Sequence, residues 1–121
     1  MNIIVPFLAP SVNRCFRTMH GKIYKSKDYN DYLNRMSEFL DSRTDIVKTL
    51  GKVKIDVTFY KKNNRQFDLD NRLKSLLDSI QDRLIENDNC VYEICCRKYN
   101  KCLEDKMLII ISPLANDTNL E

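Results

Sequence analysis

Hydrophobic and polar residues alternate along this chain in two distinct rhythms. Val53, Ile55, Val57 and Phe59 alternate with Lys52, Lys54, Asp56 and Thr58. This period of two is that of a strand with one buried face. Tyr29, Tyr32, Leu33, Met36, Phe39 and Leu40 recur in steps of three and four. That spacing predicts an amphipathic helix from about Ser26, the candidate N-cap, to about Asp41. Leu69, Leu73, Leu76, Leu77, Ile80 and Leu84 form a second such stripe. It predicts a helix from Leu69 to Leu84 with Asp68 as its N-cap. Apolar residues from Asn2 to Ala9 predict a first strand. Cys90–Tyr99 and Met107–Ser112 predict two more, the former after an Asn87-Asp88-Asn89 turn.

Between the first strand and the first helix, Pro10-Ser11-Val12-Asn13 is turn chemistry. Arg14 to Lys25, with Gly21 inside, reads as a hairpin or irregular arm. The expected order is therefore β, arm, α, β, α, β, β, an α/β (α+β) fold. Its strand–helix–strand step implies a right-handed crossover and a mixed sheet of about four strands with two principal helices. Repeats and linkers are absent, so residues 1–115 are expected to form one domain, with 116–121 as a flexible polar tail.

Composition narrows the class. At 121 residues, 43% hydrophobic and 31% charged, the chain has room for one core and falls in the globular range. No apolar run approaches the roughly 20 residues that span a bilayer. The opening segment lacks the basic flank and cleavage site of a signal peptide. Five cysteines, Cys15, Cys90, Cys95, Cys96 and Cys102, are an odd number without CxxC spacing, which reads as reduced thiols in a cytoplasmic protein and not as a disulfide framework or zinc site. The net charge is only +3, but residues 1–67 hold thirteen basic and six acidic side chains, and residues 68–121 seven and eleven. A basic half joined to an acidic half suits a protein that holds an anion beside clustered carboxylates.

Candidate chemistry concentrates where the halves meet. Lys61, Lys62 and Arg65 lead directly into Asp68 and Asp70 at the start of the second helix. Carboxylates are the hard ligands Mg²⁺ prefers, and cations bind the phosphates of a phosphodiester substrate. Lys74 lies one turn after Asp70, on a polar stripe with Asp78, within reach of a phosphate. Asp88 is a candidate third carboxylate. The same residues also read as helix capping and a surface ion pair. Arg14, Arg17, His20, Lys22 and Lys25 make the arm basic, with Phe16 and Tyr24 available to stack on bases or to join the core.

Asp68-Leu69-Asp70-Asn71-x-x-Lys74 after a basic loop, Asn87-Asp88 before a valine-bearing strand, and the opening Pro10-Ser11-Val12-Asn13-Arg14 together resemble RusA-type Holliday junction resolvases, over almost the whole chain. The resemblance implies a dimeric, Mg²⁺-dependent (alternatively Mn²⁺-dependent) endonuclease of recombination and repair, often encoded by phages or prophages, that cuts four-way DNA junctions. It implies Asp68, Asp70 and Asp88 as catalytic metal ligands and Lys74 as the catalytic lysine. Arg14, Arg17, Lys22, Lys25, Lys61, Lys62 and Arg65 would contact DNA. Asn87 stands where the family usually has an aspartate, and Phe67 where an arginine is common. A catalytically inactive homologue that binds branched DNA, and a small interaction protein with capping aspartates, are the rival expectations.

An unbroken helix from Leu69 to Leu84 would be about 24 Å long, while the four-residue step to Asp88 returns at most about 14 Å. On that geometry Asp88 reaches Asp70 only in trans, across a dimer. An early helix end would allow a site in cis.

Overall fold

The structure is a computed structural model that describes residues 1–115; the polar tail expected at 116–121 lies outside the described residues. Its elements are β1 (Asn2–Val5), β2 (Phe16–Met19), β3 (Lys22–Lys25), α1 (Lys27–Asp41), β4 (Val53–Tyr60), α2 (Leu69–Ile80), β5 (Val91–Tyr99) and β6 (Lys106–Pro113). β1 is shorter than the apolar run of the sequence predicts. The chain leaves the sheet at Pro6, which has no N–H to donate to a ladder.

Four strands form one mixed sheet in the order β1-β6-β4-β5. β4 pairs in parallel with β5 and antiparallel with β6, and β1 pairs antiparallel with β6. The parallel pair is joined through α2, so a crossover carries the chain over one face of the sheet. β2 and β3 form a separate hairpin. Its turn residues His20 (φ 52) and Gly21 (φ 73) are both left-handed, the conformation that two-residue hairpin turns favour.

Register explains the core. Val57 faces Ile109 and Phe59 faces Met107 across β4 and β6, while Ile109 and Met107 face Ile3 and Val5 of β1. All six are essentially fully buried, together with Tyr29, Tyr32, Met36 and Leu40 of α1 and Leu76 and Ile80 of α2. Both helices thus cover this one face, and each large side chain contributes about 2 kcal/mol of burial. Ser26 caps α1 by accepting the Tyr29 N–H at 3.1 Å. On the opposite face Arg97 of β5 makes a two-pronged ion pair with Asp56 of β4 at 2.7 and 3.2 Å. Those hydrogen bonds hold the Asp56 carboxyl below its ordinary pKa.

α2 ends at Ile80, four residues earlier than its leucine stripe predicts. Gln81 is extended and Asp82 is left-handed at φ 64, so the chain leaves the helix. Leu84 remains fully buried, but it enters the core from a loop. That loop is held by the Leu84 N–H on the Ile80 carbonyl (2.9 Å) and the Thr49 N–H on the Leu84 carbonyl (2.9 Å). The stripe therefore reported burial correctly and helix wrongly.

Candidate active site

The segment between β4 and α2 is fixed by the β5–β6 connection. The Lys61 N–H donates to the Tyr99 carbonyl (2.9 Å), the Lys62 N–H to Asp105 Oδ1 (2.7 Å) and Asn100 Nδ2 to the Arg65 carbonyl (2.9 Å). α2 then starts at Leu69, with Asp68 in the extended N-cap position. Asp68 makes no side-chain cap hydrogen bond; among the described residues its Oδ2 accepts only from Asn71 Nδ2 at 3.3 Å. The capping expected from the sequence is thus positional only, and this carboxylate is free to take another partner. On the buried side of the helix, Ser75 Oγ donates to the Pro10 carbonyl at 2.6 Å and Arg72 Nη1 to the Ala9 carbonyl at 2.8 Å. These two bonds dock α2 on the loop that follows β1.

Two cavities flank α2. The smaller, of about 260 Å³, is lined by Asp70, Leu73, Lys74, Leu77, Asp78 and Asp88. Asp88 reaches it because α2 stops at Ile80 and the chain folds back through the loop to the 3₁₀ turn Asp88–Cys90, which Asn87 caps by accepting the Asn89 N–H at 3.1 Å. Asp88 and Asp70 therefore line one cavity of a single chain. The helix to Leu84 from which the trans arrangement is deduced is not formed, and the early helix end is the case that allows a site in cis. Lys74 Nζ lies 3.8 Å from Asp78 Oδ1, and Tyr29 OH donates to Asp78 Oδ2 at 3.2 Å. Burial, reinforced by the Asp78 charge, pushes the Tyr29 hydroxyl well above its ordinary pKa, so it remains a donor.

The larger cavity, of about 700 Å³, lies on the other flank. Arg14, Lys61, Arg65, Phe67, Asp68 and Arg72 are among its lining residues. Phe67 organises its cations. The ammonium groups of Lys61 and Lys98 lie 5.7 and 5.0 Å from the ring centroid, and the Arg72 guanidinium 4.8 Å. Lys98 also donates to the Phe67 carbonyl. The negative ring face attracts cations and so offsets part of their mutual repulsion. Burial lowers the Lys61 pKa, and the nearby charges of Arg72, Arg65 and Arg14 lower it further against the opposing effect of Asp105.

The structure thus brings Asp70, Lys74 and Asp88 together and places Asp68 with the basic cavity. Among the described residues, no three His, Cys, Asp or Glu side chains form a ready-made ligand set. Two carboxylates facing one solvent-filled space still match Mg²⁺, which is usually held by one or two carboxylates plus waters and substrate phosphate. Of the predicted DNA contacts, Arg14, Lys61 and Arg65 converge, Arg17, Lys22 and Lys25 stand exposed on the β2–β3 hairpin, and Lys62 is exposed on the loop. Phe16 packs edge-on against Tyr29, with centroids 5.6 Å apart, while Tyr24 is exposed. Sequence reasoning missed Arg72, Lys98 and the Tyr29–Asp78 bond. The first two depend on contacts between distant segments, and no local pattern marks them.

A four-stranded mixed sheet with two helices and a separate hairpin defines the class of single-domain α+β proteins. Comparison with protein families matches residues 6–111 to endodeoxyribonuclease RusA, and the chain belongs to the RusA endodeoxyribonuclease family, whose members are Holliday junction resolvases. Among curated proteins it is similar to the crossover junction endodeoxyribonuclease RusA of Aquifex aeolicus (strain VF5), 29% identical over 105 residues, which cover 86% of this chain and 83% of that protein. Among the described residues, no helix is long and apolar enough to cross a membrane.

Proposed function

We propose that this chain is a Mg²⁺-dependent endonuclease that resolves four-way DNA junctions by paired phosphodiester hydrolysis, in recombination and repair within the cytoplasm. The observation that carries this reading is the meeting of Asp70 and Asp88, from two separate segments, beside Lys74 in one cavity. Asp70 and Asp88 would hold the ion, while Asp68, expected from the sequence as a third ligand, lines the cavity on the other flank of α2. When bound, the ion supplies positive charge that acidifies water and polarises the scissile phosphate; Mn²⁺ meets the same oxygen ligands.

Lys74 places its ammonium beside the phosphate and stabilises the charge that develops on it during water attack. Asp78 orients that ammonium from behind and is itself held by Tyr29. The products are a 5′-phosphate and a 3′-hydroxyl. Arg17, Lys22 and Lys25 on the hairpin, with Lys62 on the loop, grip backbone phosphates, an interaction that reads shape and not sequence. Each chain carries one Asp70–Asp88 pair, so symmetric incision of two strands calls for two chains, and we assign the working form to a homodimer. The catalytic unit is the single domain of residues 1–115.

The test is to incubate the protein with a labelled four-way junction and with a linear duplex of the same sequence, with Mg²⁺ or chelator, alongside D70N. Paired nicks confined to the junction, present only with metal and lost in D70N, are the expected outcome. Junction binding without cuts in any metal would reassign the chain to a branched-DNA-binding protein.

A further inference from the structure

The basic cavity contains more unpaired positive charge than a DNA-facing loop requires. Lys61 follows β4 and is only 9% exposed, and among the described residues its ammonium has no hydrogen bond or ion pair; it lies 5.7 Å from the Phe67 ring centroid and feels the more distant charge of Asp105. Arg72 spends one nitrogen on the Ala9 carbonyl, and its buried Nε has no partner at all. Arg14 and Arg65 open onto the same space, and no ion pair joins either to a carboxylate among the described residues. An orphaned, buried guanidinium N–H on Arg72 beside a largely buried lysine is costly to maintain unless an anion completes it. Of the acids around this cavity, Asp28, Asp31 and Asp68 are all exposed, and Asp31 is already paired with Lys27 at 2.8 Å.

We propose that this cavity is a phosphate subsite that holds a backbone phosphate of the DNA strand on the flank of α2 opposite the Asp70–Asp88 pair. Guanidinium forks and a lysine point charge match the oxygens of a phosphodiester. A volume of about 700 Å³ accommodates the attached sugar as well. Asp68 lines this cavity while Asp70, two residues on, lines the other. The start of α2 thus lies between two successive points of contact with the strand. This proposal rests on the DNA-cleaving function, and it predicts that the enzyme positions its substrate through a phosphate it does not cut.

The first arm of the test uses the DNA-free protein and inorganic phosphate. The parent Tm should rise by about 4 °C as phosphate saturates. K61M, which replaces a buried charge with an apolar chain of similar length, should have a Tm at or above the parent's without phosphate and lose the phosphate response. K48M, at an exposed lysine with no assigned role, should retain it, and R65M serves as a second cavity variant should K61M not fold. The second arm measures junction binding by D70N with and without K61M as a function of salt. Loss of one phosphate contact should make the slope of log K against log salt shallower by about 0.9.

Equal phosphate responses in parent, K61M and R65M would overturn the subsite, as would equal losses in K61M and K48M. A lost phosphate response with an unchanged salt slope would reassign the cavity to a free phosphate compound and overturn the DNA assignment. Phosphate binding and salt slope that both depend on Lys61, in a protein that cuts no junction, would uphold the subsite while refuting the cleavage reading.

Discussion

The two flanks of α2 handle charge in opposite ways. On the acidic flank, Asp70, Lys74, Asp78 and Asp88 surround a small cavity in which Lys74 and Asp78 neutralise each other and Tyr29 ties Asp78 to α1. On the basic flank, Arg14, Lys61, Arg65 and Arg72 line one cavity, with Lys61 and Arg72 sharing the Phe67 ring. The first arrangement is largely balanced and leaves two carboxylates for a cation. The second is unbalanced and awaits an anion. One helix supports both because its two sides are docked differently: Ser75 and Arg72 bond to the loop after β1, while the turn at Asp88 closes on the opposite side.

The largest expected effect would break the acidic flank. D70N and D88N should each reduce junction cleavage about 10³-fold or more while retaining junction binding. Because both carboxylates lie in one chain, mixing D70N with D88N should restore no activity; recovery to a quarter or more of the parent rate in a cleavage assay would return the site to a shared, trans arrangement.

Next, S75A tests the docking that the basic flank depends on. It removes a buried hydroxyl that bonds the Pro10 and Arg72 carbonyls at 2.6 and 3.0 Å. Chemical denaturation should show a loss of about 1–2 kcal/mol. Y29F is the corresponding cut on the acidic flank. Deleting a hydroxyl that bonds a half-exposed carboxylate should cost about 1 kcal/mol, and freeing Asp78 to pair more closely with Lys74 should lower kcat by less than about tenfold with KM unchanged.

The smallest effect is a pH dependence confined to the basic flank. Lys61 has a folded-state pKa below its ordinary value of 10.5, set by burial and by Arg72, Arg65 and Arg14, with Asp105 opposing. Between the depressed and the ordinary value the unfolded chain binds the proton more readily, so this residue makes stability rise with pH across that window. K61M should therefore gain most over the parent below the depressed pKa, and the gap in Tm should narrow as pH rises towards 10.5.

Much of this contrast was legible in the residues themselves. The α1 stripe and the β4 alternation identified their elements, and the Asp68–Lys74 segment the start of α2, because each depends on neighbours within a turn or two. The end of α2 was not legible: neither glycine nor proline stands between Ile80 and Leu84, and Leu84 continues the stripe. The left-handed Asp82 lies just past the helix end, where its N–H donates to the Ile85 carbonyl at 2.8 Å, a contact no local pattern announces. Nor was the partnership of Arg72 with Ala9, 63 residues apart. Lys61 is different, because the signal was present. Val53, Ile55, Val57 and Phe59 are the inward positions of β4, and the next inward position is 61. Grouping it with Lys62 and Arg65 in one basic loop overlooked the period of the preceding strand.

The short stretch from Gln81 to Asn87 also acts as a ruler. It contains just enough chain to turn back from Ile80 and deliver Asp88 to the flank of α2 where Asp70 stands. One more turn of helix would carry the turning point about 5.4 Å further off without lengthening the return path. A family member with an insertion in the helix but not in the ruler would have to borrow its second carboxylate from a neighbouring chain. Spacing in this stretch, more than the identity of its residues, decides whether each subunit owns a whole site or half of two.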